Sequence, residues 1–421
     1  MYIPNLKCLP ISSWRSQMTK ALIIIKGASF NNKVSSANNN KLKHLASLLI
    51  DSDINVYILT DVEYYNPFDN DKMIVSGRYN NIHYFNAGLS IQPKSILAKL
   101  IFRLTFYINT ISSINSIKSI SDNVVILLDH NSLLFGLVIK LISLFNRSKF
   151  VFYIEEWFPV HKERTRRFRL NAIIFNYFCF WFSDGSVVIS EYLKQKALHV
   201  KKSLMVYKLP ALANYEPNSY SSADAVINTQ DFNFLYCASL GYIKDIRKVI
   251  QAFSLASKAI GEDKIVLKLI VSGSRKEMDD FRDEMLRNAE LKIVVLSELP
   301  EKELFMEYKK ADTLIAPLDF DERSSARFSQ KIAEYCSAAK PIITSSVGDI
   351  PHYFTDGISA FLMSEYSAHS LSGKMIQVFN NRSNLKNVGD AGYRVGLKYF
   401  ACEANKEHFK TFITRMFESR S

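Results

Sequence analysis

Residues 327–346 read RFSQKIAEYCSAAKPIITSS. The spacing predicts a helix opening at Arg327, a stop imposed by Pro341, and a short buried strand over PIITSS. On a period of 3.6, Ile332, Tyr335, Cys336 and Ala339 make one apolar stripe that should face a core. Arg327, Lys331 and Glu334 fall at i, i+4 and i+7, so their side chains converge on a different face. Two cations and a carboxylate on a helix that opens from a loop suit a ligand with phosphates and a ribose. The cations meet the charge and the carboxylate accepts from hydroxyls. An ordinary amphipathic helix with a solvated, partly self-paired polar face has the same spacing.

Working outward, the C-terminal half alternates strands and helices. FNFLYCASLGY (232–242) opens a series in which KDIRKVIQAFSLASKA is a helix and KIVLKLIVSGS, KIVVLSEL and ADTLIAP are strands. The N-terminal half does the same: KALIIIKG (20–27), INVYILT (54–60), IHYFNA (82–87), VVILLDHN (124–131), KFVFYIEEWFP and GSVVIS (185–190) read as strands. GSVVIS is expected to be the last of them. KSILAKLIFRLTFYINTISSINSIKSI reads as one or two helices. The fold class is therefore α/β, with two doubly wound Rossmann-like domains. The texture changes over 204–231, whose end is rich in Ser, Asn and Ala. The expected division is an extension at 1–18, an N-terminal domain at 19–212, a linker at 213–230, a C-terminal domain at 231–395, and a terminal amphipathic segment at 396–421.

The string KIAEYCSAAKPIITSSVGDIPHYFTDGISAFL resembles the signature of retaining nucleotide-sugar glycosyltransferases of the GT-B fold, family four. That signature runs K-x-x-E-Y-x-A-A-G-K-P, a strand, then G-x-x-P and D-G-x-x-G. The family usually carries two glutamates eight positions apart; here the second is Glu334 and the place of the first is Ala326. Arg323 or Arg327 with Lys331 is similar to a branch with R-x3-K-x2-[DE]-Y. Ala339 stands where the family has a glycine ending the helix in a left-handed turn.

The resemblance implies two domains facing a cleft, a nucleotide-sugar on the C-terminal domain and an acceptor on the N-terminal one. SLGYIKDIRKVIQAF resembles the family's phosphate loop, which implies that Ser239, Gly241 and Lys244 meet the donor. Gly273 would allow close approach beside the nucleoside, and Glu298 and Leu299 would hold the base. Arg327, Lys331 and Glu334 complete the donor set. Gly27 and Ala28 form the first close-approach loop, and His130 follows a strand where the family places a histidine near the donor sugar. The implied catalytic group is His130, Lys244, Lys331 and Glu334. Glu155 and Glu156, at a strand tip, bind acceptor hydroxyls or pair with the arginines that follow. The family's catalysis is metal-independent, so no metal or cofactor is expected, and a UDP- or GDP-sugar is the substrate. The terminal helix in the family crosses back onto the N-terminal domain.

The chain has 421 residues, 48% of them hydrophobic and 22% charged, with a net charge of +12. That is enough length and apolar content for two cores. Residues 1–210 hold 26 Lys and Arg against 13 Asp and Glu, whereas 211–421 hold 27 against 28. The excess belongs to the N-terminal half. HKERTRRFRLNAIIFNYFCFWFSD (161–184) joins a basic cluster to aromatic residues. It packs into the core, or it lies at an anionic membrane surface with Arg164, Arg166, Arg167 and Arg169 at lipid phosphates. The long helical stretch near 101–118 can share that face. The five cysteines, at 8, 179, 237, 336 and 402, have no metal-type spacing and suggest a reducing compartment. No compact signal-peptide pattern and no charge-free run of 18 apolar residues is present, so a cytoplasmic protein, peripheral on the inner face of the cell membrane, is expected.

The expected activity is transfer of a sugar to a hydroxyl of a lipid-linked saccharide, in capsule, O-antigen (lipopolysaccharide) or exopolysaccharide assembly, an expectation that rests on the resemblance and the basic half. A non-catalytic GT-B scaffold, a sugar-nucleotide epimerase and a nucleic-acid-binding protein are the alternatives; no nucleic-acid partner is expected.

Overall fold

A computed structural model describes residues 20–26, 37–60, 76–88, 95–129, 132–158, 166–215, 231–261, 264–286, 290–297 and 299–419. The chain forms two compact units. The first takes in the opening strand, Asn38–Leu209 and the chain from Asn405; the second takes in Pro210–Ala404.

The first unit contains β1 (Lys20–Lys26), α1 (Ala37–Ser47), β2 (Asn55–Thr60), β3 (Ser76–Tyr79), β4 (Ile82–Asn86), α2 (Ile96–Lys118) and β5 (Asn123–Asp129). It continues with α3 (Leu133–Phe145), β6 (Lys149–Ile154), α4 (Arg166–Trp181), β7 (Gly185–Val188), α5 (Glu191–Val200) and β8 (Met205–Lys208). The sheet order is β3-β4-β2-β1-β5-β6-β7-β8, parallel except for β3. Ala21–Ile25 and Val125–Leu128 are buried, because helices cover both faces of the central strands. Side-chain caps set the helix starts: Ser95 accepts from the Ala98 N–H, and Ser132 from the Phe135 N–H. Helix α3 sits close to the sheet at Gly136, where a Cβ would come within 2.9 Å of Phe152. The switch in strand order falls between β1 and β5, so the C-terminal ends of these two strands open the natural crevice.

The second unit contains β9 (Phe232–Ser239), a 3-10 turn (Leu240–Tyr242), α6 (Ile243–Ile260), β10 (Ile265–Ser272), α7 (Arg275–Leu286), β11 (Ile293–Ser297), α8 (Glu301–Lys310) and β12 (Thr313–Ala316). Then come α9 (Glu322–Ala326), α10 (Gln330–Ser337), β13 (Ile342–Ser345), α11 (Ile350–Tyr353), β14 (Phe361–Met363), α12 (Ala368–Asn380), α13 (Leu385–Tyr399) and α14 (Cys402–Glu418). The sheet is parallel, in order β11-β10-β9-β12-β13-β14, with the switch between β9 and β12. Both units are Rossmann-like α/β folds, as the alternation of strands and helices in the sequence predicts.

Three details differ from the sequence reading. GSVVIS is not the last strand of the first unit, because β8 follows and pairs with β7. The helix expected from Arg327 starts at Gln330; Arg327 caps α9 in an extended conformation, with φ −105° and ψ 158°. Phe328 explains the break, because it is buried against Tyr353 and Phe400 at 5.6 and 5.0 Å. The same helix ends at Ser337 rather than at Pro341, and Ala339 takes the left-handed turn at φ 55°.

Helix α14 passes from the second unit into the first. Phe409 and Phe412 pack on Tyr207 of β8 at 5.9 and 5.6 Å, and Lys410 pairs with Asp53 at 3.5 Å.

Candidate functional site

In the second unit the loops after β9, β10, β11, β12 and β14 all lie at the C-terminal edge of one parallel sheet. Ser239 ends β9, and its hydroxyl accepts from the Gly241 N–H at 3.3 Å, which fixes the turn. Gly241 is exposed, and a Cβ there would meet only the Ser239 hydroxyl, at 3.6 Å. Lys244 is exposed in the first turn of α6, beside that turn. Gly273 follows β10 and lets Leu240 close in, since a Cβ would stand 2.9 Å from Leu240 Cδ1. Leu299 is half-buried after β11, and Glu298 lies outside the described residues.

Helix α10 is pinned to β9. The Tyr335 hydroxyl accepts from the Cys237 N–H at 3.2 Å, and Tyr215 donates to the Ala333 carbonyl at 2.7 Å. That anchoring sets the half-buried Lys331 and Glu334 near the end of β9. Burial pushes the Cys237 thiol up, with Lys331 pulling it down and Glu334 adding to the rise, so both charges act on this strand end. Arg327 reaches the same place from the loop, with its guanidinium 5.7 Å from the Tyr242 ring centre. It also acts on Tyr236, whose hydroxyl burial and then Asp245 hold up while Arg327 opposes. The Arg327 Nε is buried without a hydrogen-bond partner. An unpaired buried guanidinium donor is costly unless something accepts from it. Arg327, Lys331 and Glu334 thus gather at the β9–β12 switch point, though not from one helix face. Lys244 stands at the start of α6, where free backbone N–H groups also point outward.

Two further groups belong to this edge and carried no recognisable sequence signal. The Tyr366 hydroxyl hydrogen-bonds Asp245 in the first turn of α6, and Lys248 lies 3.4 Å over the Tyr366 ring. Their partners are more than 100 residues apart in sequence, which no local spacing reveals.

In the first unit Gly27, Ala28 and His130 lie outside the described residues. Glu155 directly follows β6 and pairs with Lys41; Glu156 beside it is half-buried. Arg164 lies outside the described residues, as does the side chain of Arg167. Arg166 is exposed and Arg169 half-buried, both in the first turn of α4. The aromatic stretch that follows is two-sided. Phe175, Phe178 and Phe180 are buried, whereas Ile173, Ile174, Tyr177 and Trp181 are exposed. Helix α3 packs between α2 and α4 and continues the exposed apolar face through Leu134, Leu141, Leu144 and Phe145, with Phe145 87% exposed. Helix α2 adds Ile96, Leu100, Leu104 and Ile108. These three helices carry Lys99, Arg103, Lys118, Lys140 and the α4 arginines, and no Asp or Glu. Among the described residues no helix is long and apolar enough to cross a membrane. No group of three His, Cys, Asp or Glu among them is arranged to hold a metal ion.

Residues 221–395 match the family described as glycosyl transferases group 1. No curated protein sequence matches the chain. A sucrose-phosphate synthase from Thermosynechococcus elongatus superimposes with a TM-score of 0.73 at 15% identity, covering 95% of this chain and 100% of that one. HepE of Anabaena, in complex with UDP and glucose, gives 0.66 at 12% identity, covering 94% and 100%. The pneumococcal O-GlcNAc transferase GtfA, in complex with UDP and GlcNAc, gives 0.65 at 10% identity, covering 95% and 100%. The chain therefore has the GT-B fold, and residues 221–395 are similar in sequence to the glycosyl transferases group 1 family.

Proposed function

We propose that the chain is a retaining glycosyltransferase that moves a sugar from a UDP- or GDP-sugar to a hydroxyl of a saccharide acceptor. The observation that carries this reading is the gathering of Arg327, Lys331 and Glu334 at the β9–β12 switch point, with the Arg327 Nε buried and unpaired. The segment matching the glycosyl transferases group 1 family spans them. Relatives in fold such as HepE hold UDP and glucose. In this reading Lys244, Arg327 and Lys331 take up the diphosphate and neutralise the charge that grows on it as the sugar leaves. Glu334 accepts from the ribose hydroxyls. Glu155 meets the acceptor. Because side chains and helix N–H groups supply the positive charge, turnover should persist in a chelator.

The test is a thermal-shift screen with UDP, GDP and their sugars, followed by turnover with the ligand that binds. A true donor raises the unfolding temperature by mass action. Lys244→Ala with Lys331→Ala should abolish transfer in a folded protein; near-wild-type rates would remove the phosphate assignment. A second reading, a GT-B scaffold that binds donor without turnover, is favoured by Ala326. That residue, where the family's first glutamate stands, is fully buried. Tight donor binding with neither hydrolysis nor transfer selects it.

We also propose that the α2–α3–α4 face of the first unit lies on an anionic bilayer, which fits a lipid-linked acceptor used in surface-polysaccharide assembly at the inner leaflet. Exposed apolar side chains on helices that also carry the exposed Lys99, Arg103 and Arg166, with no carboxylate in the three helices, match acyl chains below acidic headgroups. Co-sedimentation with phosphatidylglycerol vesicles should occur and should fail with neutral vesicles; equal binding to both would sink the charge argument.

A further inference from the structure

The first unit holds a buried charge network at its own switch point. Lys26 and Asp129 are register partners at the C-terminal ends of β1 and β5. Lys26 Nζ lies 2.5 Å from Asp129 Oδ2, and Lys41 Nζ of α1 lies 2.9 Å from the same oxygen. Lys41 also pairs with Glu155 and stands 4.5 Å over the Tyr153 ring. Tyr153 is hydrogen-bonded to Glu155 in turn. Two cations and two carboxylates balance, so the network needs no counter-ion.

Such a network is a poor way to gain stability. Burying ion pairs is often no better than packing apolar residues of the same volume. Here it caps no helix and covers no sheet edge. Its members come from three strand ends and a helix, and their exposure is graded outward. The side chains of Lys26 and Lys41 are 6% and 11% exposed, and that of Glu155 is 28% exposed. The inner members hold the outer one.

We propose that Lys41 is a positioning residue that orients Glu155 to accept a hydrogen bond from the acceptor hydroxyl, with Asp129 and Lys26 fixing Lys41. This rests on the transferase reading above. A carboxylate held by an ammonium and a phenol keeps one orientation, as a pre-organised hydroxyl acceptor must. Burial opposes the charge on Lys41, but Asp129 and Glu155 more than offset that and hold it protonated.

The experiment uses the full chain, with UDP-glucose, UDP-GlcNAc and GDP-mannose as donor probes. Hydrolysis by water and transfer to p-nitrophenyl glucoside are followed separately. Lys41→Met and Glu155→Gln should each lower transfer to the glucoside about a hundredfold, while donor affinity stays unchanged. The double variant should be no worse than either single one, and Lys41→Arg should recover most of the loss. Additive losses, or falls in donor affinity and transfer alike, would mean a structural role and overturn the proposal. If Lys41→Met does not fold, Lys41→Arg beside Glu155→Gln decides. Arg at 41 must retain transfer where Gln at 155 loses it, and loss in both, or in neither, overturns the assignment. Wild-type protein that binds none of the donors overturns the transferase reading itself, and this proposal with it. Donor binding with unaltered transfer in both variants overturns this proposal alone.

Discussion

At Ala339 the chain adopts φ 55°, a conformation that L-residues other than Asn and Asp rarely enter. The turn is forced from outside. Its carbonyl faces Gly389 of α13, where an added Cβ would stand 2.4 Å from the oxygen, so the helix end cannot relax without parting α10 from α13. Ala339→Gly should therefore stabilise the second unit by about 1 kcal/mol, seen as a rise in its thermal midpoint. An unchanged or lower midpoint would show that glycine's freedom in the unfolded chain outweighs the relief. Glu334 makes the opposite case. It is half-buried and on the site side of α10, so Glu334→Ala should leave the fold intact. It should weaken nucleotide binding by about 2 kcal/mol, roughly thirtyfold in Kd by calorimetry. Lys331 and Glu334 could be singled out in sequence because three residues suffice to put them on one helix face. The placing of Arg327 could not, because burial of Phe328 overrode the local helical pattern. The Lys26–Asp129–Lys41 network was invisible for a different reason: 103 residues separate the first two, and only the strand register joins them.

At the level of elements, long apolar runs declared themselves. β1, β5, β9 and β10 are buried on both faces and need continuous hydrophobic sequence. β3 and β8 did not, because SGRY and MVYK are edge strands with part-exposed or polar residues and no alternation to read. The stretch 95–118 is one helix, capped by Ser95. Together α2, α3 and α4 expose large apolar side chains, among them Ile96, Leu100, Leu134, Phe145 and Trp181. Each arginine at an anionic bilayer contributes about 1 kcal/mol. Arg166→Gln with Arg169→Gln should thus lower the vesicle partition coefficient about thirtyfold at low salt. Phe145→Ser, on α3 rather than in the basic segment, should lower it as well. Loss with the arginines but not with Phe145 would restrict the contact to α4.

Across the whole molecule, acid acts unevenly on the two units. Burial, then the nearby Arg78, holds His83 of β4 down at about 4, against an ordinary 6.5. Its neutral form is favoured in the folded state. The stability this contributes is present above pH 6.5 and is lost as pH falls from there towards 4, where the unfolded chain binds the proton first. The loss should be on the order of 2 kcal/mol after allowance for screening. It should appear as a selective fall in the first unit's melting transition. His83→Gln should flatten that slope; an unchanged slope would assign it elsewhere. The seating of α14 has a consequence for biosynthesis. The first unit includes residues 405–419, which a ribosome delivers only after the whole of the second unit has been made. Until then β8 lacks the aromatic cover of Phe409 and Phe412, and a chain cut at Ala404 leaves Tyr207 bare. The half made first must wait for α14, so a nascent chain stalled before residue 405 should be protease-sensitive in the half already outside the tunnel.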